Sequence, residues 1–269
     1  MGEFSRSFLP TLYGVAMIDF EVHGHVAVLR INRPDARNAV NAAVAQGMEA
    51  AIDRLEDDPD LWIGVIAGAG PVFCAGADLK EVAAGNGGAL GTERGGFAGI
   101  VARERTKPLI AAVDGPALAG GTEIVLSCDL VVASTESRFG VPEVKRSLVA
   151  AAGGLFRLPR KLPPNVAMEA VLTGDPISAQ RAYDFGMVNE LCEPGTAEAT
   201  ALVLAARIEA NAPLAVRESR KVVLAAALAD DATGFALSNK AMGALMKTND
   251  FAEGPKAFIE KRSPEWTGT

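Results

Sequence analysis

Asp114-Gly115-Pro116-Ala117-Leu118-Ala119-Gly120-Gly121-Thr122-Glu123 lies between two apolar segments. Residues 108–113 before it read as a buried strand, and 124–128 after it read as a helix. A strand, a glycine-rich turn and a helix start aim free backbone N–H groups at one spot. Gly120 and Gly121 allow close approach to the backbone. A helix N-terminus favours negative charge. Glu123 places a carboxylate in the first turn, and an anion hole beside a carboxylate suits acid–base work on a carbonyl compound. The same residues also describe an ordinary capped helix, so the rest of the chain has to decide.

The chain has 269 residues, enough for one large α/β domain or a core with an appendage. Hydrophobic residues make up 49% and charged residues 22%, the balance of a globular protein. A formal net charge of −7 argues against nucleic acid as the main partner, which needs concentrated Lys and Arg. No run of ~18 apolar residues occurs, so no membrane insertion is expected. Cys74, Cys128 and Cys192 are widely spaced and form no CxxC pair. They fit a reducing, cytoplasmic compartment with free thiols.

Elimination narrows the chemistry. The only two histidines, His23 and His25, fall in an early hairpin. A histidine-dependent triad or a histidine-ligated metal is therefore not expected. Acid–base work, if present, falls to carboxylates, Lys, Tyr or Cys.

Along the chain, residues 1–16 read as a disordered or artificially added extension, and 18–22 with 26–31 as a hairpin around Gly24. Apolar spacing predicts a helix over 41–57, with Asp53, Arg54, Glu56 and Asp57 on its outer face, then a strand over 62–67. Strand, helix, strand implies a right-handed parallel crossover. Residues 85–96 hold six glycines and are the expected mobile segment. A helix over 100–106, strands over 108–113 and 129–133, and an extended piece at 138–140 follow. Beyond 150 the pattern is mostly helical, with helices over 163–172, 178–185, 196–211, 214–229, 232–248 and 251–261. The divisions expected are 17–200 for the core and 201–269 for a helical C-terminal region.

Phe73-Cys74-Ala75-Gly76-Ala77-Asp78-Leu79-Lys80 resembles the first acyl-CoA loop of the crotonase (enoyl-CoA hydratase/isomerase) superfamily. Gly115 to Glu123 resembles its second loop. Phe139-Gly140-Val141-Pro142-Glu143 resembles the element carrying its second catalytic glutamate. Leu172-Thr173-Gly174, Ala179, Ala182 and Gly186-Met187-Val188-Asn189 match its later helical pattern. The resemblance runs from about Met17 to the C-terminus.

It implies an α/β fold of stacked ββα turns, a crotonase-like superhelix with a helical C-terminal trimerisation region. It implies homotrimers, usually paired into hexamers. It implies an acyl-CoA thioester substrate, with coenzyme A arriving as part of that substrate and no separate cofactor. By position, the thioester oxygen would lie between the N–H groups of Ala77 and Gly120. Glu123 and Glu143 would hold a water between them, the hydratase arrangement. Ala36, Arg37, Ala75, Asp78, Leu79, Lys80 and Gly121 are the further substrate-binding candidates. Phe258 and Lys261 fit an ordinary amphipathic helix better than a coenzyme A contact, and Trp266 reads as a tail anchor.

The family's usual Gly and Pro after the second glutamate are replaced in Val144-Lys145-Arg146-Ser147-Leu148-Val149-Ala150-Ala151-Ala152-Gly153-Gly154. This stretch shapes the acyl pocket in the family, so the acyl group stays open. Residues 158–164 and 253–266 resemble the carnitinyl-CoA dehydratase branch, which stands with enoyl-CoA isomerase as an alternative. A few relatives bind RNA through a basic first helix. Here that segment carries Asp53, Glu56, Asp57 and Asp58, which repel phosphate.

Overall fold

The computed structural model describes residues 6–8 and 17–269. Of the extension expected at 1–16, only Arg6–Phe8 is described, as strand β1; the rest lies outside the described residues. The chain then winds in turns. The first comprises the hairpin β2 (Ile18–His23) and β3 (Val26–Ile31), then α1 (Ala42–Asp57). The second comprises β4 (Ile63–Gly68), α2 (Leu79–Ala83) and a small hairpin of β5 (Gly91–Thr92) and β6 (Gly96–Phe97). The third is β7 (Leu109–Val113), β8 (Pro116–Leu118) and α3 (Gly120–Ser127). The fourth is β9 (Leu130–Ser134), β10 (Arg138–Gly140) and α4 (Gly154–Lys161). There follow α5 (Pro164–Thr173), β11 (Ile177–Ser178), α6 (Ala179–Asp184) and β12 (Glu190–Cys192). The chain ends in α7 (Ala197–Glu209), α8 (Pro213–Ala226), α9 (Asp231–Leu245) and α10 (Asn249–Glu260).

The first turn contributes β2 and β3, and each later turn one strand, to a seven-stranded sheet in the order β1-β2-β3-β4-β7-β9-β12. The β1–β2 and β2–β3 pairings are antiparallel and the others parallel. Each turn then sends a short extended piece into a second layer. β8 pairs parallel with β10, and β10 antiparallel with β11. Parallel bridges from Cys74 to Ala117 and from Val40 to Ala77 continue that layer through the two preceding turns. This is the stacked ββα architecture, closed by a C-terminal helical bundle.

The large sheet is apolar on both faces, as parallel strands covered on both sides must be. Leu29, Ile66, Leu109 and Val131 face one way, against Val44, Met48, Ile52 and Leu55 of α1. Val28, Val65, Ile110 and Val132 face the other way, against Ala197, Ala201 and Ala205 of α7. Alternate residues separate cleanly because side chains alternate across a strand. The expected boundary at 200/201 falls inside α7. Trp266 anchors the tail, its indole donating to Ala210 O at 2.9 Å.

Four sequence expectations are corrected. Residues 100–106 form turns rather than a helix. The amides of Thr106 and Lys107 are taken by Glu56 at 2.8 and 3.0 Å, and Arg103 by Asp53 at 2.6 Å, so the segment is satisfied from outside itself. For the same reason the polar face of α1 is a docking face more than a solvated one. Glu49 accepts from Gly95 N at 3.0 Å and Asp53 pairs with Arg94. The glycine-rich run, expected as the mobile segment, is thereby folded as a 3₁₀ turn over Gly87–Leu90 and the β5–β6 hairpin. Finally, the start of the opening turn is itself a strand, β8.

Candidate active site

The two glycine-containing loops are held together by backbone contact. Cys74 N donates to Pro116 O at 3.3 Å and Leu118 N to Cys74 O at 3.0 Å. Gly121 closes the contact: a Cβ there would lie 2.2 Å from Cys74 O. On the far side, Val40 N donates to Gly76 O and Asp78 N to Val40 O, at 2.8 and 2.9 Å. In such a parallel bridge the residue between, Ala77, turns its own N–H away from Val40. That flank belongs to the second loop, where Gly120 N lies 3.0 Å from the position a Gly76 Cβ would take. Gly120 opens α3, so its N–H has no partner within the helix. Neither N–H donates to another group among the described residues. The result is two backbone donors on adjacent loops, each without a partner among the described residues.

One turn into α3, Glu123 is 3% exposed, and its Oε1 accepts from Gly154 N at 2.9 Å. Burial pushes its pKa up, the Gly154 N–H pulls it back, and the neighbouring Glu143 pushes it up again. Glu143 sits in a 3₁₀ turn over Pro142–Arg146 that follows β10. Its Oε2 is buried with no hydrogen-bond partner among the described residues. Burial raises its pKa too, with Arg146 acting in the opposite sense. A buried carboxyl oxygen without a donor is at ease only when protonated or when a ligand hydroxyl or water meets it.

The enoyl-CoA hydratase/isomerase family profile matches residues 21–269. The chain belongs to this family, the crotonase superfamily. It is 48% identical to the solved enoyl-CoA hydratase EchA1 of Mycobacterium marinum, with a TM-score of 0.90 over 94% of this chain and 99% of that one. It is 38% identical to the enoyl-CoA hydratase EchA19 of Mycobacterium tuberculosis, over 91% of this chain and 94% of the relative. It is 37% identical to the carnitinyl-CoA dehydratase of Proteus mirabilis, over 91% of this chain and 96% of the relative. Membership makes it an enzyme of hydro-lyase or isomerase type acting on an acyl-CoA thioester. No single helix among the described residues is long and apolar enough to cross a membrane.

As a crotonase-superfamily site, it brings some of the remaining candidates together and assigns others to scaffolding. Ala75 N donates to Arg37 O at 3.0 Å, so Ala36 and Arg37 flank the first loop, and the Arg37 side chain is exposed. Leu79 and Lys80 are exposed on α2. Asp78, by contrast, is occupied: its Oδ1 caps α2 through Lys80 N at 3.0 Å and its Oδ2 pairs with Arg33 at 2.7 Å. The Arg33 guanidinium holds its pKa below the usual carboxylate value. Gly121 is buried as the loop-to-loop contact. The Cys74 and Cys128 thiols are pushed up to about 12 by burial, which leaves them inert.

Sequence reasoning missed three contributors. Gly154 anchors Glu123. Asn38 is fully buried and its Nδ2 donates to Ala69 O and Val72 O, fastening the approach to the first loop. Phe97 lays its ring against Gly120, where a Cβ would lie 2.3 Å from the ring edge. A glycine pair ending a run and a buried Asn beside Arg37 were visible signals; nothing in the sequence marks Phe97.

Proposed function

We propose that the chain adds water across the 2,3-double bond of a 2-enoyl-CoA thioester, with syn addition, and catalyses the reverse elimination. The thioester oxygen accepts hydrogen bonds from Ala77 and Gly120 N–H, which hold the enolate charge that develops there. Glu123, ionised, takes a proton from the water as its oxygen bonds to the β-carbon. Glu143, protonated, gives its proton to the α-carbon. The pair carries one proton throughout and titrates as a unit. The observation that carries this reading is the orphaned, buried Oε2 of Glu143 set beside a Glu123 whose own Oε1 is held by Gly154. A double-bond shift needs only one carboxylate to move a proton, whereas hydration uses two around one water.

Ala36, Arg37, Ala75, Leu79 and Lys80 line the coenzyme A side in this reading. Asp78 and Gly121 act there through the backbone of the loops. The C-terminal region 201–269 covers its exposed apolar side chains, among them Leu228, Phe235, Phe258 and Ile259, in a cytoplasmic homotrimer or a hexamer built from two of them. A second reading, carnitinyl-CoA dehydratase-like elimination, is favoured by the Proteus mirabilis relative and by a solved carnitinyl-CoA hydratase of Mycobacterium avium at 44% identity.

A panel of short, long, branched and carnitinyl thioesters tests both. Loss of the enoyl absorbance with crotonyl-CoA and its homologues supports hydration. Turnover confined to the carnitinyl thioester moves the assignment to the second reading. No turnover of any member refutes both.

A further inference from the structure

Thr122 stands between the oxyanion donor Gly120 and the carboxylate Glu123, and it is 1% exposed. Its Oγ1 lies 2.7 Å from Ala117 O, 2.8 Å from Gly140 O and 2.9 Å from Gly140 N. A hydroxyl has one proton and two acceptor sites. It therefore donates to one of the two carbonyls at a time and accepts the Gly140 N–H. The β8–β10 ladder ends at this point, with Gly140 opposite Leu118. Ala119 N also donates to Gly140 O, at 2.8 Å. From Gly140 the chain passes through buried Val141 and the restricted φ of Pro142 to Glu143. One buried hydroxyl thus ties the first turn of α3, which carries Gly120 and Glu123, to the base of the short segment that carries Glu143.

We propose that Thr122 is a positioning residue: its hydroxyl pins Gly140 and so sets the placement of Glu143 relative to Glu123 and the oxyanion donors. This rests on the two-glutamate reading above. A hydrophobic residue of the same shape fills the volume and removes the pin. Serine keeps the pin and loses only a methyl group.

The test uses the full chain and the thioester it turns over fastest. Thr122→Val and Thr122→Ser are made alone and in combination with Glu143→Gln. Thr122→Val is expected to lower kcat by about tenfold or more with KM changed less than about threefold, an effect on the chemical step. Thr122→Ser recovers most of that kcat. In the Glu143→Gln background Thr122→Val costs less than about threefold, because residues that act through one another are not additive. An equal loss in both backgrounds, a rise in KM alone, or a serine variant as poor as valine overturns the proposal. If the valine variant does not fold, Thr122→Ala against Thr122→Ser supplies the same contrast.

If the parent protein turns over no thioester, the hydratase reading falls and the pin is read directly. Amide exchange over 140–143 is then expected to accelerate in the Val or Ala variant and not in the Ser variant. Equal exchange in all of them overturns the pin itself.

Discussion

Gly154 donates its backbone N–H to Glu123 Oε1 at 2.9 Å, so the residue that opens α4 holds the carboxylate in the first turn of α3. This contact gives the last glycine of the run between Val144 and Gly154 a structural role. Most of that run departs from the family pattern, yet its final two glycines persist. A Cβ on Gly154 would lie 2.7 Å from Ala150 Cβ and 3.2 Å from Glu123 Oε1. Gly153 has φ +118°, and a Cβ there would press on the Arg157 guanidinium. Gly154 is thus confined by its neighbours on one side and by the Glu123 carboxylate on the other.

Glu123→Gln and Glu143→Gln are each expected to lower kcat by about 10²–10⁴-fold, the usual worth of a positioned acid or base, with a smaller change in KM. Steady-state kinetics on an active enoyl thioester checks this. A variant within a few-fold of the parent contradicts the two-carboxylate mechanism.

The same substitutions carry a stability prediction of opposite sign. Burial raises the folded-state pKa of both carboxyls. A carboxyl raised on folding favours the folded state while protonated and loses that contribution as pH climbs through its folded pKa. Glu123→Gln removes the ionisable group and with it the penalty of a buried charge. Its melting temperature should exceed the parent's at pH 8, and the advantage should shrink toward pH 5. A constant difference across that range contradicts the account.

Gly121→Ala is expected to destabilise the protein and damage catalysis together. The new Cβ meets Cys74 O at 2.2 Å and Cys74 C at 2.9 Å, both backbone atoms that cannot rotate aside. The two loops must part, at a cost of about 1–3 kcal/mol for overpacking. Because Gly120 and Ala77 ride on those loops, kcat falls as well. Melting and kinetics on one preparation test the pairing of effects; a stable variant with normal kcat rules out the close contact.

Ala119→Gly should do the reverse. Ala119 precedes Gly120 with φ +51° and ψ −125°, a region that favours glycine. Such strain costs about 1–3 kcal/mol. Glycine relieves it but loses roughly 0.5–1 kcal/mol to chain entropy. A net gain of about 1 kcal/mol is expected, seen as a higher melting temperature at unchanged kcat. A lower melting temperature means the Ala119 methyl group, which packs on Gly76, outweighs the strain.

The parts of this molecule legible from sequence are those where several local patterns agree. Strand, Gly120-Gly121 and a helix start carrying Glu123 fit a plain capped helix as well, and become a candidate site only beside the motifs at 73–80 and 139–143. The crossover from β3 through α1 to β4 followed from apolar spacing at Val44, Met48, Ile52 and Leu55. What stayed hidden depends on partners far along the chain. The acidic stripe of Glu49, Asp53 and Glu56 looks the same whether it meets water or, as here, the backbone and arginines of residues 92–107. β8 is three residues long, too short to show a period. Phe97 meets Gly120 only because the β5–β6 hairpin is pinned to α1, a contact no spacing announces.

Asp78 gives the sharpest separation between a binding role and a scaffolding role. It follows Ala77, a place where a coenzyme A contact is a natural expectation. Its two oxygens are instead committed to Lys80 N, at the start of α2, and to Arg33. Arg33 also donates to Ala39 O at 2.9 Å, next to the Val40 that brackets Ala77. Asp78→Ala therefore removes a helix cap and frees the brace behind Ala77. The expected cost is about 1–2 kcal/mol from the lost cap alone. It should be accompanied by a fall in kcat larger than any rise in KM. The Arg33 charge holds the Asp78 pKa below its ordinary value. Its stabilising contribution is then present above the unfolded carboxylate pKa, about 4, and lost as pH falls through the lower folded pKa. The melting difference between the parent and Asp78→Ala should be largest near neutrality and narrow in acid. A variant with normal stability and kcat but a raised KM for the thioester would instead place Asp78 on the coenzyme A.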